Sequence, residues 1–153
     1  MKRPLITCAC ALCLAACFSG GGQAEFAPVF GKGEPNSYGE HFTGQTYLAP
    51  LNAYSESLKV PAANVTFEPC ARTDWHKHTG GQILFVTDGE GRHQIRGGEI
   101  EILHPGDVVA VEPDVEHWHG AAPDSWFSHV AVTPNAPDNK AIWLEPVTDK
   151  EYK

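Results

Sequence analysis

The chain has 153 residues, a formal charge of −8 and a charged fraction of only 20%. That acidic balance excludes a nucleic-acid backbone as the default partner, since little in it could replace counterions along phosphates, and 42% apolar residues exclude a disordered chain. Twelve Pro and fifteen Gly argue against a helical bundle and for many short elements within one domain, and eight His against one Met is the unusual entry in the composition.

Lys2 and Arg3 precede an apolar run from Leu5 to Ala16, too short to span a bilayer and right for a signal-peptide core. It ends Leu14-Ala15-Ala16-Cys17, similar to the bacterial lipobox, in which the Cys is lipidated; cleavage near Ala24 is the alternative. Residues 1–24 are therefore expected to be a leader. The protein is expected to be exported, either periplasmic or tied to a bacterial membrane only through a lipid anchor. Cys8, Cys10 and Cys13 fall inside the leader, which leaves Cys70 as the thiol of the body, expected to be buried and structural, with no disulfide framework. Residues 18–40 hold six Gly and two Pro and are expected to form a flexible tether.

The body, residues 41–153, shows short β-rich runs separated by turn signals and no sustained helical period. Strands are expected at His41–Leu48, Asn64–Glu68, Gln82–Thr87, Arg92–Arg96, Glu99–Leu103, Val108–Glu112, Trp126–Thr133 and near Ile142–Leu144. Gly97-Gly98 predicts a hairpin closed by a tight primed turn. The fold class is all-β, a sandwich or small barrel, with a short helical turn at Asp149–Lys153.

His76 and His78 are two apart, as are His117 and His119. In a strand, such a pair faces one way. Gln82 follows His78 after a Gly80-Gly81 turn. A closed barrel could bring both segments together as a mononuclear site of imidazole nitrogens and one amide oxygen. Imidazole suits Mn, Fe, Ni, Cu and Zn alike. His41, His93 and His104 show no partner and are expected to be surface or structural. Trp75 and Trp118, of opposite parity to the histidines beside them, are expected to pack behind the site, and Asp107 to cap the Pro105-Gly106 turn.

These motifs resemble the cupins, whose first motif runs Gly, five residues, His-x-His, three or four residues, Glu, six residues, Gly. Here it reads Cys70, five residues, His76-Lys77-His78, three residues, Gln82, six residues, Gly89. The second motif runs Gly to a His eleven positions later, here Gly106 to His117. Val65-Thr66-Phe67-Glu68-Pro69, His104-Pro105-Gly106-Asp107-Val108-Val109 and His117-Trp118-His119-Gly120-Ala121-Ala122-Pro123 are similar to small bacterial manganese cupins that act as (R)-selective hydroxynitrile lyases. Those share the Gln in place of Glu. Cys70 departs from the motif Gly, so its turn must tolerate a side chain.

The resemblance implies a single-domain cupin, a double-stranded β-helix or jelly-roll barrel. It implies one divalent transition metal on His76, His78, Gln82 and His117, manganese by preference, with Fe, Ni, Zn or Co also compatible. It implies cleavage of a cyanohydrin, a small-molecule substrate, to aldehyde and cyanide. His129 is the implied base, though its strand position could equally face solvent, and Ala63 and Val65 are the implied pocket walls; His119, which shares the parity of His117, could be a fifth ligand, a partner behind the ligands or a rim residue. Thr133 shares the parity of His129 and is counted with the pocket. Phe67 shares the face of Ala63 and Val65 and could equally belong to the core. A homo-oligomer is expected and no nucleic acid. A metal cupin oxygenase or isomerase and a non-enzymatic binding cupin remain open beside the lyase.

Overall fold

The structure, a computed structural model, describes residues 26–52 and 55–153; the expected leader lies outside them. Thirteen strands are described: β1 (Glu34–Pro35), β2 (Phe42–Thr43), β3 (Thr46–Asn52), β4 (Ala62–Phe67), β5 (Arg72–Thr73), β6 (His76–His78), β7 (Gln82–Gly89), β8 (Gly91–Ile95), β9 (Glu101–Leu103), β10 (Val108–Val111), β11 (His117–Ala121), β12 (Phe127–Val132) and β13 (Ala141–Trp143). A short helix, α1 (Asp149–Tyr152), ends the chain. Its start is fixed by a capping box between Thr148 and Glu151.

The strands form two antiparallel sheets. One has the order β1-β3-β4-β12-β7-β10. The other has β13-β6-β11-β5-β2, with β8 on the other side of β11 and β9 beyond β8. β11 is the axis of the second sheet. One edge pairs with β8 along its whole length, with His119 opposite His93. The other meets β6 and then β5, with His117 opposite His76 and Gly120 opposite Arg72. β5 and β6 act as two halves of one interrupted strand.

Inward faces run from small or polar residues at one end to large apolar ones at the other. β4 presents Ala63, Val65 and Phe67; β7 presents Gln82, Leu84 and Val86; β12 presents Thr133, Ala131, His129 and Phe127 in the same sense. The core gathers Phe67, Leu84, Val86, Leu103, Val109, Val111, Ala121 and Phe127. Phe67 thus belongs to the core and does not line the pocket described below. Behind the second sheet, Trp75 and Trp118 pack with Val147 and Tyr152, the side their parity predicts.

Three expectations are corrected. The described part of the tether, residues 26–40, is applied to the body. β1 pairs with β3, Phe26 stacks on Trp126 with ring centroids 5.2 Å apart, and Gly31 carbonyl accepts from Asn64 Nδ2 at 2.9 Å. Asn64 shares a buried polar network with Thr66 and Ser128, and a buried network has to be satisfied; Gly31 supplies an acceptor. Secondly, Cys70 is exposed, not buried, and has φ +69°. It occupies the left-handed turn for which the motif reserves Gly, at a strain cost. Thirdly, β8 and β9 do form a hairpin, but only Gly97, not Gly98, has positive φ, and Gly98 N donates to Ile95 O. That is the pattern of a type II turn within a wider loop, not a primed two-residue turn.

Candidate metal centre

Strand register alone sets most of the site. His117 lies opposite His76 on the paired strand, so their rings come together, with centroids 4.2 Å apart. His78, two residues on, has its ring 5.3 Å from His76 and 5.9 Å from His117. Gly81, at φ +77°, turns the chain back toward Gln82; a Cβ there would come 2.7 Å from Val111 O. Gln82 Oε1 then lies 3.4 Å from His117 Nε2. Nitrogens of His76, His117 and His119 lie within 4.8 Å of one another, so His119 stands in the cluster as well as beside it.

Backbone carbonyls fix the tautomers. His76 Nδ1 donates to Asp74 O and His117 Nδ1 to Val115 O, each at 3.0 Å. In a neutral ring, that leaves Nε2 a bare lone pair. His117 Nε2 therefore faces the amide oxygen of Gln82 as acceptor against acceptor. Both ring nitrogens of His78 are buried without a partner. Orphaned lone pairs on buried imidazoles and an amide oxygen are what a divalent transition metal satisfies. The residues present fit such an ion.

Burial governs the charge state. It pushes His78 and His117 down to about 4 and His129 to about 3, and holds His76 and His119 well below the ordinary imidazole value. All five rings are thus neutral near pH 7, the form that can bind a metal. His129, the base that the resemblance implies, is made weakly basic by this burial.

His129 sits on β12, opposite Val65 of β4, where the pairing with β7 shifts at a bulge. Its Nε2 lies 3.2 Å from His119 Nδ1, and its Nδ1 is buried without a partner. Beside it opens a cavity of about 320 Å³ whose walls include Ala63, Val65, Ala131 and Thr133, with Gln82 reaching it from below. The three sequence-predicted pocket residues thus line one cavity. Among the described residues, none of its lining side chains is ionisable apart from the Tyr38 phenol.

His93 is the residue that sequence reasoning missed. It is 1% exposed, its ring centroid 5.8 Å from that of His117. Its Nδ1 meets Glu101 Oε2 at 3.2 Å, and its Nε2 is buried and unpartnered. Pairing across the Gly97-Gly98 hairpin sets His93 opposite Glu101, which was the available signal. His104 is exposed, and its backbone N–H donates to Asp107 Oδ2 at 2.7 Å, so Asp107 caps its turn as expected.

The cupin-domain family model matches residues 63–128. An (R)-mandelonitrile lyase from Granulicella tundricola is 48% identical over 113 residues, which is 73% of this chain and 86% of that protein. The crystal structure of a cupin-like protein from Thermotoga maritima is 43% identical with a TM-score of 0.76, over 81% of this chain and 93% of that one. A DMSP lyase from Ruegeria pomeroyi shares the fold at 18% identity, with a TM-score of 0.58 over 68% of this chain and 54% of that one.

Proposed function

The chain belongs to the cupin family, and from that premise we propose that it is a metal-dependent carbon–carbon lyase that cleaves cyanohydrins reversibly to an aldehyde and cyanide. One observation carries the reading. Gln82, whose Oε1 lies 3.4 Å from His117 Nε2 in the imidazole cluster, lines a small cavity with no carboxylate, lysine or arginine among its described lining residues, and Val65, opposite His129 on the paired strand, lines it too. Such a cavity suits an uncharged substrate with an apolar body. The 48% identity to a mandelonitrile lyase supports the same chemistry.

His76, His78, Gln82 and His117 would hold the ion, for which we propose manganese(II). When bound it supplies Lewis acidity to a substrate oxygen, undiminished by ligand charge because all four donors are neutral. The chain's own groups do the rest. His129 Nε2–H donates to His119 Nδ1, leaving His129 Nδ1 bare toward the substrate hydroxyl. His129 Nδ1 takes that proton, the carbon–carbon electron pair leaves with cyanide, and the same nitrogen returns the proton to cyanide. Aldehyde and hydrogen cyanide leave, and the imidazole is restored. His119 spreads the charge that His129 carries in between. Ala63, Val65 and Ala131 enclose the substrate body and exclude water.

The test is release of benzaldehyde and cyanide from mandelonitrile by the metal-loaded protein. Activity should vanish on chelation and return with manganese. His129→Ala and His119→Ala should each lower kcat about 100-fold or more while elemental analysis shows full metal content. Metal loss in His119→Ala would move His119 into the ligand set. Metal-dependent oxygen uptake in place of cyanide release would favour the oxygenase alternative, and binding without turnover the non-enzymatic one.

A further inference from the structure

The cavity has one wall that the family motifs do not include. Tyr38 comes from the stretch that reads as a tether, yet it lines the cavity beside Leu48, Pro50 and Thr133. Its position is built. Asn36 Oδ1 accepts from Tyr38 N at 3.0 Å, while Asn36 N donates to Thr46 O at 3.0 Å and Asn36 Nδ2 to Thr46 Oγ1 at 3.3 Å. Thr46 is buried at the start of β3. Tyr38 O in turn accepts from His41 N at 3.0 Å. The backbone of Tyr38 is therefore fixed by hydrogen bonds from both sides. Tyr38 is 58% exposed, whereas Gln82 is 7% exposed.

Apart from Asn52, Gln82 and Thr133 the remaining walls are aliphatic, and Tyr38 is the only aromatic residue among the described lining residues. A substrate whose hydroxyl is directed toward Gln82 must place its body outward, toward this ring. An aromatic face at a cavity mouth offers a stacking surface to a planar apolar group entering the cavity. A charged substrate would find no counter-charge on these walls.

We propose that Tyr38 is the specificity-determining residue of this pocket, its ring forming the outer wall on which an aryl group of an uncharged substrate stacks. The inference rests on the cyanohydrin reading and narrows it to aryl-bearing substrates. It also gives the amino-terminal segment a part in substrate choice.

The experiment compares kcat/KM for mandelonitrile with that for acetone cyanohydrin in the wild type, Tyr38→Phe and Tyr38→Ala, all metal-loaded and full length. Aromatic contacts of this kind contribute a factor of about two to ten. Tyr38→Ala should lower the aromatic-to-aliphatic ratio by that factor, mostly through KM, and Tyr38→Phe should keep the wild-type ratio. Asn36→Ala, which frees the loop but leaves the ring, should lower the ratio by less than Tyr38→Ala. An unchanged ratio in Tyr38→Ala, or an equal fall for both substrates, overturns the proposal. Should the wild type turn over neither cyanohydrin, the lyase reading fails. The ring is then tested by benzyl alcohol binding, read from ligand NMR line broadening: weaker binding to Tyr38→Ala supports the assignment, and equal binding overturns it.

Discussion

The chemistry of this molecule is decided at the scale of single side chains by which lone pairs are left bare. Asp74 O and Val115 O each take an imidazole Nδ1–H, so two rings present Nε2 inward, and Gln82 adds an oxygen without adding charge. Replacing Gln82 with Glu adds one negative charge among the proposed ligands, which should tighten metal binding and weaken Lewis acidity together. Gln82→Glu is expected to retain metal through a chelator titration that strips the wild type and to lower kcat for mandelonitrile about tenfold; unchanged or raised kcat would sink the charge argument. The two His-x-His pairs and Gln82 were legible because side-chain parity in strands is a property of sequence. His93 was not. Its parity within β8 marks a face, but only assembly shows that this face is the interior, with Glu101 across the hairpin and His117 beside it.

Among the elements, the interrupted strand β5–β6 and the unbroken β11 do the positioning. Gly120 lets β11 approach Arg72, and Thr73 Oγ1 accepts the backbone N–H of His119 at 3.2 Å. The same Arg72 ties the carboxy terminus down. Its guanidinium is buried, donates to Val147 O at 3.0 Å and to Asp149 Oδ1 at 2.7 Å, and lies over the Tyr152 ring at 4.6 Å. Tyr152 Oη donates to Ala121 O, at the end of the site strand β11, at 2.6 Å. Arg72→Ala leaves the Val147 carbonyl without its charged donor and uncovers Tyr152. It should cost about 2 kcal/mol in urea denaturation; a loss below about 0.5 kcal/mol would show that the α1 clasp does not hold the sheet. The helical turn at the carboxy terminus and most strands were legible from turn residues and β-rich runs. β1, β5, β6 and β11 were absent from the expected strands. β5 is two residues long, and β6 and β11 are rich in His, so what marks them as strands is their partners, not their composition.

Taken whole, the fold places six histidines, at 76, 78, 93, 117, 119 and 129, inside one small barrel. Burial lowers the pKa of each below the ordinary imidazole value near 6.5, to about 4 for His78 and His117 and about 3 for His129. An unfolded chain binds protons on these groups below pH 6.5, while the folded chain refuses them until the pH falls further. Stability contributed in this way is complete above about pH 6.5 and is lost as the pH falls through the folded values, by up to about 1.4 kcal/mol per unit for each such group. The metal-stripped protein should therefore show a Tm that is flat from pH 7 to 8 and falls steeply from pH 6.5 to 4, followed by circular dichroism. A profile that is flat across that lower window would show that these rings are hydrated and titrate normally.

Periodicity and spacing in the sequence determined the fold class and the ligand candidates, because alternation in a strand assigns faces without knowledge of its partners, and the cupin motif spacing follows from turn lengths that local residues set. Tertiary structure alone decided which faces became interior, that His93 joins the cluster, that His119 meets both His129 and the nitrogens of His76 and His117, and that Tyr38 of residues 26–40 lines the cavity. Most of these depend on register between strands far apart in the chain, such as β6 with β11 and β4 with β12, and such pairing is settled only when the buried faces of both sheets pack together.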